Sequence, residues 1–336
     1  MTTSTPTRWR NEPGWRVGGT RPLDASKVQA PGIVRMPEGG FRLFYTAVGP
    51  GKPYPQCQGY ILSATSPDGL DFMLEDGIRL APRPEVPFLS RRALAPTITR
   101  RPDGRWRMYF ESRGPATRPT VIASAVSSDL VTWDLEDGIR LERPGDVGGP
   151  RYVAMPDGRG RIYCSSRDES AIVSAVTTDG LTFEWEPGER IASGLSELES
   201  SGITAADVIP PAASGAAWYM LYSAWQDVPP GTVVPPHPSS DPALADREDI
   251  DFAAASIAAD MAGYRSRIFS ATSRDGLRWE PTGLVLEGDG YGGTQVGAVH
   301  AEDMAVVALD DGRYRMYYAA CDAQGVWRVA SAISEG

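Results

Sequence analysis

Two aspartates, Asp207 and Asp303, fall in one column when the chain is laid over itself, at the head of apolar segments where other copies carry Ala30 or Gly149. Glu302 and His300 flank Asp303, and Glu197 and Glu199 precede Asp207. Carboxylates gathered at one end of a narrow channel repel one another, so at least one is expected to keep its proton and serve as a donor. Asp207 and Asp303 are therefore the leading acid/base candidates, with Glu302 next. Strand alternation leaves open whether Glu302 faces the channel. His300, one of two histidines, is a further acid/base candidate.

Arginines gather at the same segment ends. Arg91 and Arg92 precede the second copy's first segment, Arg151 follows the head of the third, and Arg113 and Arg167 stand where second segments finish. A planar guanidinium suits bidentate recognition of carboxylate or phosphate, so inward-pointing arginines would select an anionic ligand. Arg92 and Arg151, with Gln29 and Glu199, are the candidate substrate-binding residues. Trp225, Tyr54 and Tyr291 are candidate platforms for a sugar face.

The elements that must carry these residues recur. QAPGIVRMPEGGFRLFYTA (29–47), LAPTITRRPDGRWRMYFES (94–112), GGPRYVAMPDGRGRIYCSS (148–166), ADVIPPAASGAAWYMLYSA (206–224) and EDMAVVALDDGRYRMYYAA (302–320) overlay without gaps as strand, hairpin turn, strand. A Ser-Ala segment follows each as a third strand, for example YILSATSPDGL at 60–70. A DG turn and an IRL-type strand, as in LEDGIRL at 74–80 and 135–141, complete the unit. The fifth copy stops after VASAIS, and RWRNEPGWRV at 8–17 reads like the missing piece, matching RWEPTGLVL at 278–286. The pattern predicts an all-β fold over 1–336: a five-bladed β-propeller of four antiparallel strands per blade, its last blade closed by the N-terminal strand. First strands then line the axis, and their heads share a face with the loops between strands two and three. One such loop, in blade four, holds a long insertion over 227–267. Its first half is Pro-rich and 243–262 is expected to be helical, so it is a candidate lid over the channel mouth.

Composition agrees with a turn-rich β protein: 36 Gly and 29 Pro punctuate a chain that is 41 % hydrophobic. A formal charge of −10 argues against a nucleic-acid partner. No apolar run of about 18 residues suggests a membrane span, and no leader pattern opens the sequence, so the expected residence is the cytoplasm. Cys57, Cys164 and Cys321 are too dispersed for a disulfide framework or zinc site. Only Lys27 and Lys52 among 33 basic residues are lysines, a bias of base composition that by itself says little about function.

These strand patterns, with FRLFYT, WYMLYSAW and SxDGLxW turns, resemble the five-bladed glycosidase superfamily that includes glycoside hydrolase families 43, 32, 62, 68 and 130. The resemblance spans essentially the whole chain, and its motifs are mostly architectural. It implies an enzyme acting on a sugar or sugar-like, anionic small substrate or oligosaccharide. It also implies an Asp heading the inner strand of blade one as base and another on blade three. Here those positions are Ala30 and Gly149, so the usual carboxylate pair is absent. That departure keeps open a phosphorylase, a biosynthetic lyase or cyclase, or a non-catalytic carbohydrate-binding propeller. In arabinanase-like relatives a histidine of the last blade approaches a channel-centre metal ion, often calcium. The resemblance thus makes His300 a candidate metal ligand and calcium the candidate ion.

Overall fold

The computed structural model describes residues 6, 8–25, 27–48, 58–115, 118–211, 216–228 and 264–335. Most of the expected insertion, 229–263, lies outside the described residues, as do Cys57 and Tyr54. Among the described residues the chain forms strands and two 3-10 turns, Pro87–Leu89 and Glu197–Glu199.

Five antiparallel units carry the repeats. The first comprises Lys27–Arg35, Phe41–Val48, Gly59–Ser66 and Met73–Leu74, and the second Arg92–Arg100, Trp106–Arg113, Val121–Ser127 and Asp134–Leu135. The third runs from Val147–Ala154 through Gly160–Ser166 and Ala171–Thr177 to Glu184–Trp185. The fourth comprises Gly202–Ile209, Trp218–Asp227, Tyr264–Ser273 and Trp279–Leu286. In the fifth, His300–Ala308, Tyr314–Cys321 and Trp327–Glu335 are completed by Arg8–Asn11, paired Trp9 to Ser334 and Asn11 to Ala332. The first strands touch in cyclic order, one to two, two to three and so on, with five returning to one. The fold is a β-propeller closed by its N-terminal strand.

Period-two alternation gives each blade two apolar faces, and each is buried against a neighbouring blade. Val34, Phe44 and Leu80 of blade one pack on Met108, Phe110 and Trp133 of blade two. Val17, Leu43 and Tyr45 meet Tyr317 and Val329 at the junction of blades one and five. Equivalent clusters fill the other three junctions.

Buried polar ties fix the angular register of the blades. In four blades the serine of the Ser-Ala step donates at 2.6–2.7 Å to a glutamate on the following strand or turn: Ser63 to Glu75, Ser124 to Glu136, Ser174 to Glu186 and Ser331 to Glu12. An arginine of strand two grips the same carboxylate: Arg42, Arg107, Arg161 and Arg315 respectively. Each arginine also donates to a carbonyl in the turn after strand three of the next blade, at Asp129, Asp179, Asp275 or Asp68; this is an Asp-Gly turn in three blades and Asp129-Leu130 in blade two. Three buried tyrosines two residues on, Tyr109, Tyr163 and Tyr317, donate to the neighbouring Gly180, Gly276 and Gly69 carbonyls. Those turns are shaped by their own Asx hydrogen bonds, as where Asp68 Oδ1 accepts from the Leu70 and Asp71 N–H groups. Glu75 and Glu136 of the two LEDG segments, Glu186 of WEPG and Glu12 of NEPG are thus the anchors of the blade-to-blade tie.

Blade four departs from this scheme. Tyr219 replaces the arginine, Ser270 bonds Thr282 at 2.7 Å, and the Tyr219 hydroxyl accepts from Trp9 Nε1 of the closing strand.

Removing one partner of a desolvated ion pair strands the other charge. Glu12→Ala, which leaves the largely buried Arg315 without its bidentate partner, should destabilise the fold by about 3 kcal/mol. Asp310→Ala, at an ion pair with side chains 43 % and 87 % exposed, should change stability by less than about 0.5 kcal/mol. Urea midpoints of the two variants check the contrast, and equal effects would contradict the tie.

Candidate functional site

Each inner strand breaks its ladder near the mouth. The register slips between Gln29 and Gly32, Leu94 and Thr97, Gly148 and Arg151, Ile203 and Ala205, and Glu302 and Ala305. At four of these bulges one residue adopts a left-handed conformation: Ala30 (φ 46°), Ala95 (48°), Gly149 (56°) and Asp303 (51°). A bulge withdraws its N–H from the ladder, and a buried donor needs another acceptor. The preceding blade supplies one. Thr46 Oγ1 accepts from Ala95 N at 2.8 Å, Glu111 Oε2 from Gly149 N at 3.0 Å, and Ser223 Oγ from Asp303 N at 3.3 Å.

This geometry corrects the place of Asp207. In blade five Ala305 pairs with Tyr317, 12 positions on, whereas at the same place on strand two of blade four Leu221 pairs with Asp207, 14 positions back. The blade-four hairpin is longer by two, so a gapless overlay anchored on strand two slides the first strand by two positions. The true counterpart of Asp207 is Ala305, and the unpaired bulge residue of blade four is Thr204. The Asp207 carboxylate instead accepts from the Val208 and Val306 backbone N–H groups at 2.8 and 2.7 Å. It lines a separate cavity of about 270 Å³ together with Arg151 and Val306.

Arg151 divides the two cavities. Its guanidinium, 3 % exposed, donates to the carbonyls of Pro31, Pro150 and Met304 at 2.9–3.0 Å, with Pro96 at 3.4 Å. It joins inner-strand bulges of four blades and closes the channel axis, so it forms a floor and is not among the residues lining the mouth.

Above that floor lies a cavity of about 470 Å³, within the usual range for small-ligand sites of about 300–1,000 Å³. Gln29, Arg92, Trp225, Glu302 and Asp303 line it as the sequence suggested, joined by Lys27, Glu111, Arg113, Arg167 and Tyr264. Glu302 and Asp303 both reach the cavity because the bulge interrupts alternation between them. Missing side chains make room for the present ones. A Cβ on Gly148 would lie 2.3 Å from the Glu111 carboxylate, and one on Gly202 would lie 2.3 Å from the Trp225 ring.

His300 and Glu199 stand behind the wall. His300 is fully buried, stacked on Trp327 with centroids 5.3 Å apart, and its Nδ1 accepts the Ser266 N–H at 3.2 Å, which places the neutral ring's proton on Nε2. The Ser266 hydroxyl lies 3.0 Å from that Nδ1 and also bonds Glu302, so His300 positions the carboxylate through Ser266. Glu199 accepts from the Tyr222 hydroxyl and from Ser196 Oγ and braces the base of strand two in blade four. The Tyr291 hydroxyl donates to the Tyr264 carbonyl at 2.7 Å. Calcium does not fit. Among the described residues no group of three or more His, Cys, Asp or Glu side chains is placed to hold a metal, and the cavity wall presents four cationic side chains.

The carboxylates of the mouth divide into two kinds. Burial, reinforced by the neighbouring Asp303 charge, pushes Glu302 up to about 7, against the pull of Lys27 and Ser266. Burial also raises Asp303, opposed by Arg151 and Lys27. Glu111 goes the other way. Its burial favours the neutral acid, but Arg113 at 2.8 Å, Arg167 at 3.5 Å and the Gly149 N–H outweigh it and hold the group below its ordinary value. Lys27, its amine 4.1 Å from the Trp327 ring centre, is brought down to about 8 by burial despite the attraction of Glu302 and Asp303. Lys27 and Glu111 escape a motif search, since neither lies in the column of Asp303. Their one sequence signal is type: a lysine in an arginine-rich chain, and a glutamate where other blades carry Thr46, Ser165 or Ala319.

No family model and no curated protein matches the chain. Solved structures do. A thermostable family-43 glycoside hydrolase aligns with a TM-score of 0.60 at 15 % identity over 97 % of this chain and 92 % of its own. A structure from family 130 of mannoside phosphorylases, a family that contains glycoside hydrolases targeting β-1,2 mannosidic linkages in Candida mannan, aligns at 0.64 and 14 % over 98 % and 94 %. An N-acetylgalactosamine deacetylase from F. plautii, in complex with blood group B trisaccharide, aligns at 0.64 and 13 % over 98 % and 96 %. These likenesses establish the fold as the β-propeller found among glycoside hydrolases.

Since the Lys27 cation opposes the upward shift of Glu302, Lys27→Met should raise the Glu302 pKa above about 7. The carboxylic-acid infrared band, titrated in both proteins and assigned by Glu302→Gln, measures it. A fall in pKa would contradict the electrostatics described.

Proposed function

We propose that the protein is an enzyme acting on a sugar or sugar-like small molecule in the mouth cavity by proton transfer. The observation that carries this reading is the adjacency of Glu302 and Asp303 on one bulge, both lining the cavity, with the Asp303 charge helping Glu302 keep its proton near neutrality. The carbohydrate-directed structural neighbours support the substrate class by analogy of fold.

In a hydrolytic cycle Glu302 gives its proton to the departing glycosidic oxygen while Asp303 takes one from the attacking water. The C–O bond breaks, water is added across it, and the proton on Asp303 returns to Glu302. Glu111, held ionised by Arg113 and Arg167, faces the positive charge that develops on the sugar ring in the transition state. Trp225 offers a stacking face.

A panel of aryl glycosides tests this by release of the phenol. Glu302→Gln and Asp303→Asn should each lower kcat/KM by about 10²–10⁴-fold. Asp207→Asn, on the far side of the Arg151 floor, should leave kcat within about threefold of the unaltered protein, since a group outside the site affects stability before chemistry. Failure of the unaltered protein to turn over any glycoside would contradict hydrolysis. The pH profile supplies a separate check. With Glu302 as the required acid, kcat/KM should fall as pH rises through about 7; a rate still rising above that value would exclude Glu302 as donor.

A further inference from the structure

Lys27 is one of two lysines among 33 basic residues, and its amine is open to chemistry that an arginine in its place is not. A guanidinium stays protonated, whereas an ammonium gives up its proton when its surroundings oppose the charge. Lys27 heads the inner strand of blade one, paired with Val48, and its side chain lines the mouth cavity although the residue is only 5 % exposed. Trp327 walls it on one side, its ring centre 4.1 Å from Nζ, and that ring stacks in turn on His300. Glu302 and Asp303 line the same cavity.

The groups that bear on the amine come from three strands: Glu302 and Asp303 on the inner strand of blade five, Cys321 on its second strand, and Arg92 on the inner strand of blade two. Burial is the largest influence. With the help of Arg92 it outweighs the carboxylates and the thiol and brings Lys27 down to about 8. A lysine so placed holds unprotonated amine near neutrality and is a nucleophile towards carbonyl carbon. Glu302, pushed up to about 7, keeps enough of its acid form to protonate an oxygen that must leave. One cavity thus brings together a nucleophilic amine and a proton donor, with Asp303 beside them to face the cation that condensation creates.

We propose that Lys27 is a covalent carbonyl site, whose amine condenses with the open-chain aldehyde of a reducing sugar held in the mouth cavity. The nitrogen lone pair forms a C–N bond to the aldehyde carbon while the carbonyl oxygen takes the Glu302 proton. The nitrogen then returns a proton to the Glu302 carboxylate, and Glu302 passes it to the new hydroxyl. The C–O bond breaks and water leaves as the C=N bond forms. The products are an iminium, an ionised Glu302 and one water, with nothing oxidised or reduced. This activity goes beyond the proposed hydrolysis and takes from that reading only the cavity and the sugar class. An aryl glycoside has no free aldehyde, so the two reactions are tested apart.

The test incubates the protein with glyceraldehyde, erythrose, ribose or glucose and sodium cyanoborohydride, which reduces an iminium to a stable amine. Peptide mass mapping then locates the adduct, the aldose less one oxygen atom. With at least one aldose Lys27 should be labelled about tenfold or more faster than Lys52, the chain's other lysine, and urea unfolding should bring the two rates together. The Lys27 rate should be highest between pH values of about 7 and about 8. Below that window the amine is protonated, and above it Glu302 has lost its proton. An ordinary lysine gains amine up to a pH of about 10.4. Glu302→Gln should slow labelling of Lys27 about tenfold or more, even though losing the carboxylate also frees amine. If that variant fails to fold, the pH profile of the unaltered protein carries the same information. A smaller ratio of Lys27 to Lys52, no label with any aldose, an unaltered rate in folded Glu302→Gln, or a rate still rising above a pH of about 9 overturns the proposal and leaves the hydrolytic reading standing. Failure to turn over aryl glycosides removes the hydrolytic reading and leaves the Lys27 result as measured.

Discussion

The arginine that reaches from strand two of one blade to a carbonyl in the turn after strand three of the next is the constraint on which the ring depends. Apolar burial between blades is non-directional and would tolerate rotation of one sheet against another. The guanidinium does not, because Glu75, Glu136, Glu186 or Glu12 fixes one side of it and the neighbouring turn accepts from the other. The carboxylate is held in turn by the Ser-Ala serine, so one cooperative unit spans strand two, strand three, the following segment and the adjacent blade. Glu12 lets the N-terminus complete this unit in blade five. Without it the ring would end in an open edge.

From that ring the site follows. Blades held at fixed angles bring five inner-strand bulges to one axis, and each bulge turns side chains towards the mouth that regular alternation would hide. Arg151 then satisfies carbonyls from four of those bulges and seals the floor. A sealed, desolvated pocket makes the electrostatics strong. Neutral acid is favoured at Glu302, ionised carboxylate at Glu111, and the cations around them are brought down from their ordinary values.

The fold was legible because repeats read at the level of strand and turn need only approximate register. RWRNEPGWRV at 8–17 reads like RWEPTGLVL at 278–286, so the closing strand could be placed from residues alone. The site needed register exact to one residue, and there the gapless overlay failed. The hairpin between Ile203 and Ala224 is two residues longer than its counterparts, and Asp207, which pairs as Ala305 does, slid into the bulge column. Asp303 and Glu302 could be placed at the cavity because blade five keeps the common hairpin length. Arg151 was expected to bind substrate, whereas its guanidinium donates to backbone carbonyls on the axis, and no sequence pattern tells an axial brace from a ligand-binding arginine. His300 was likewise placed beside the mouth, but its ring lies behind the cavity wall. Lys27 was visible as a rare residue type, and only its burial among carboxylates gives that rarity a meaning.

A crystal structure of the protein with a slowly turned-over aryl glycoside tests the central claim most directly. The account predicts a sugar ring in the mouth cavity, with its glycosidic oxygen within hydrogen-bond reach of Glu302 and a water or hydroxyl within reach of Asp303. A ligand bound beside Asp207 below the Arg151 floor, or Glu302 and Asp303 turned away from the bound sugar, would contradict it.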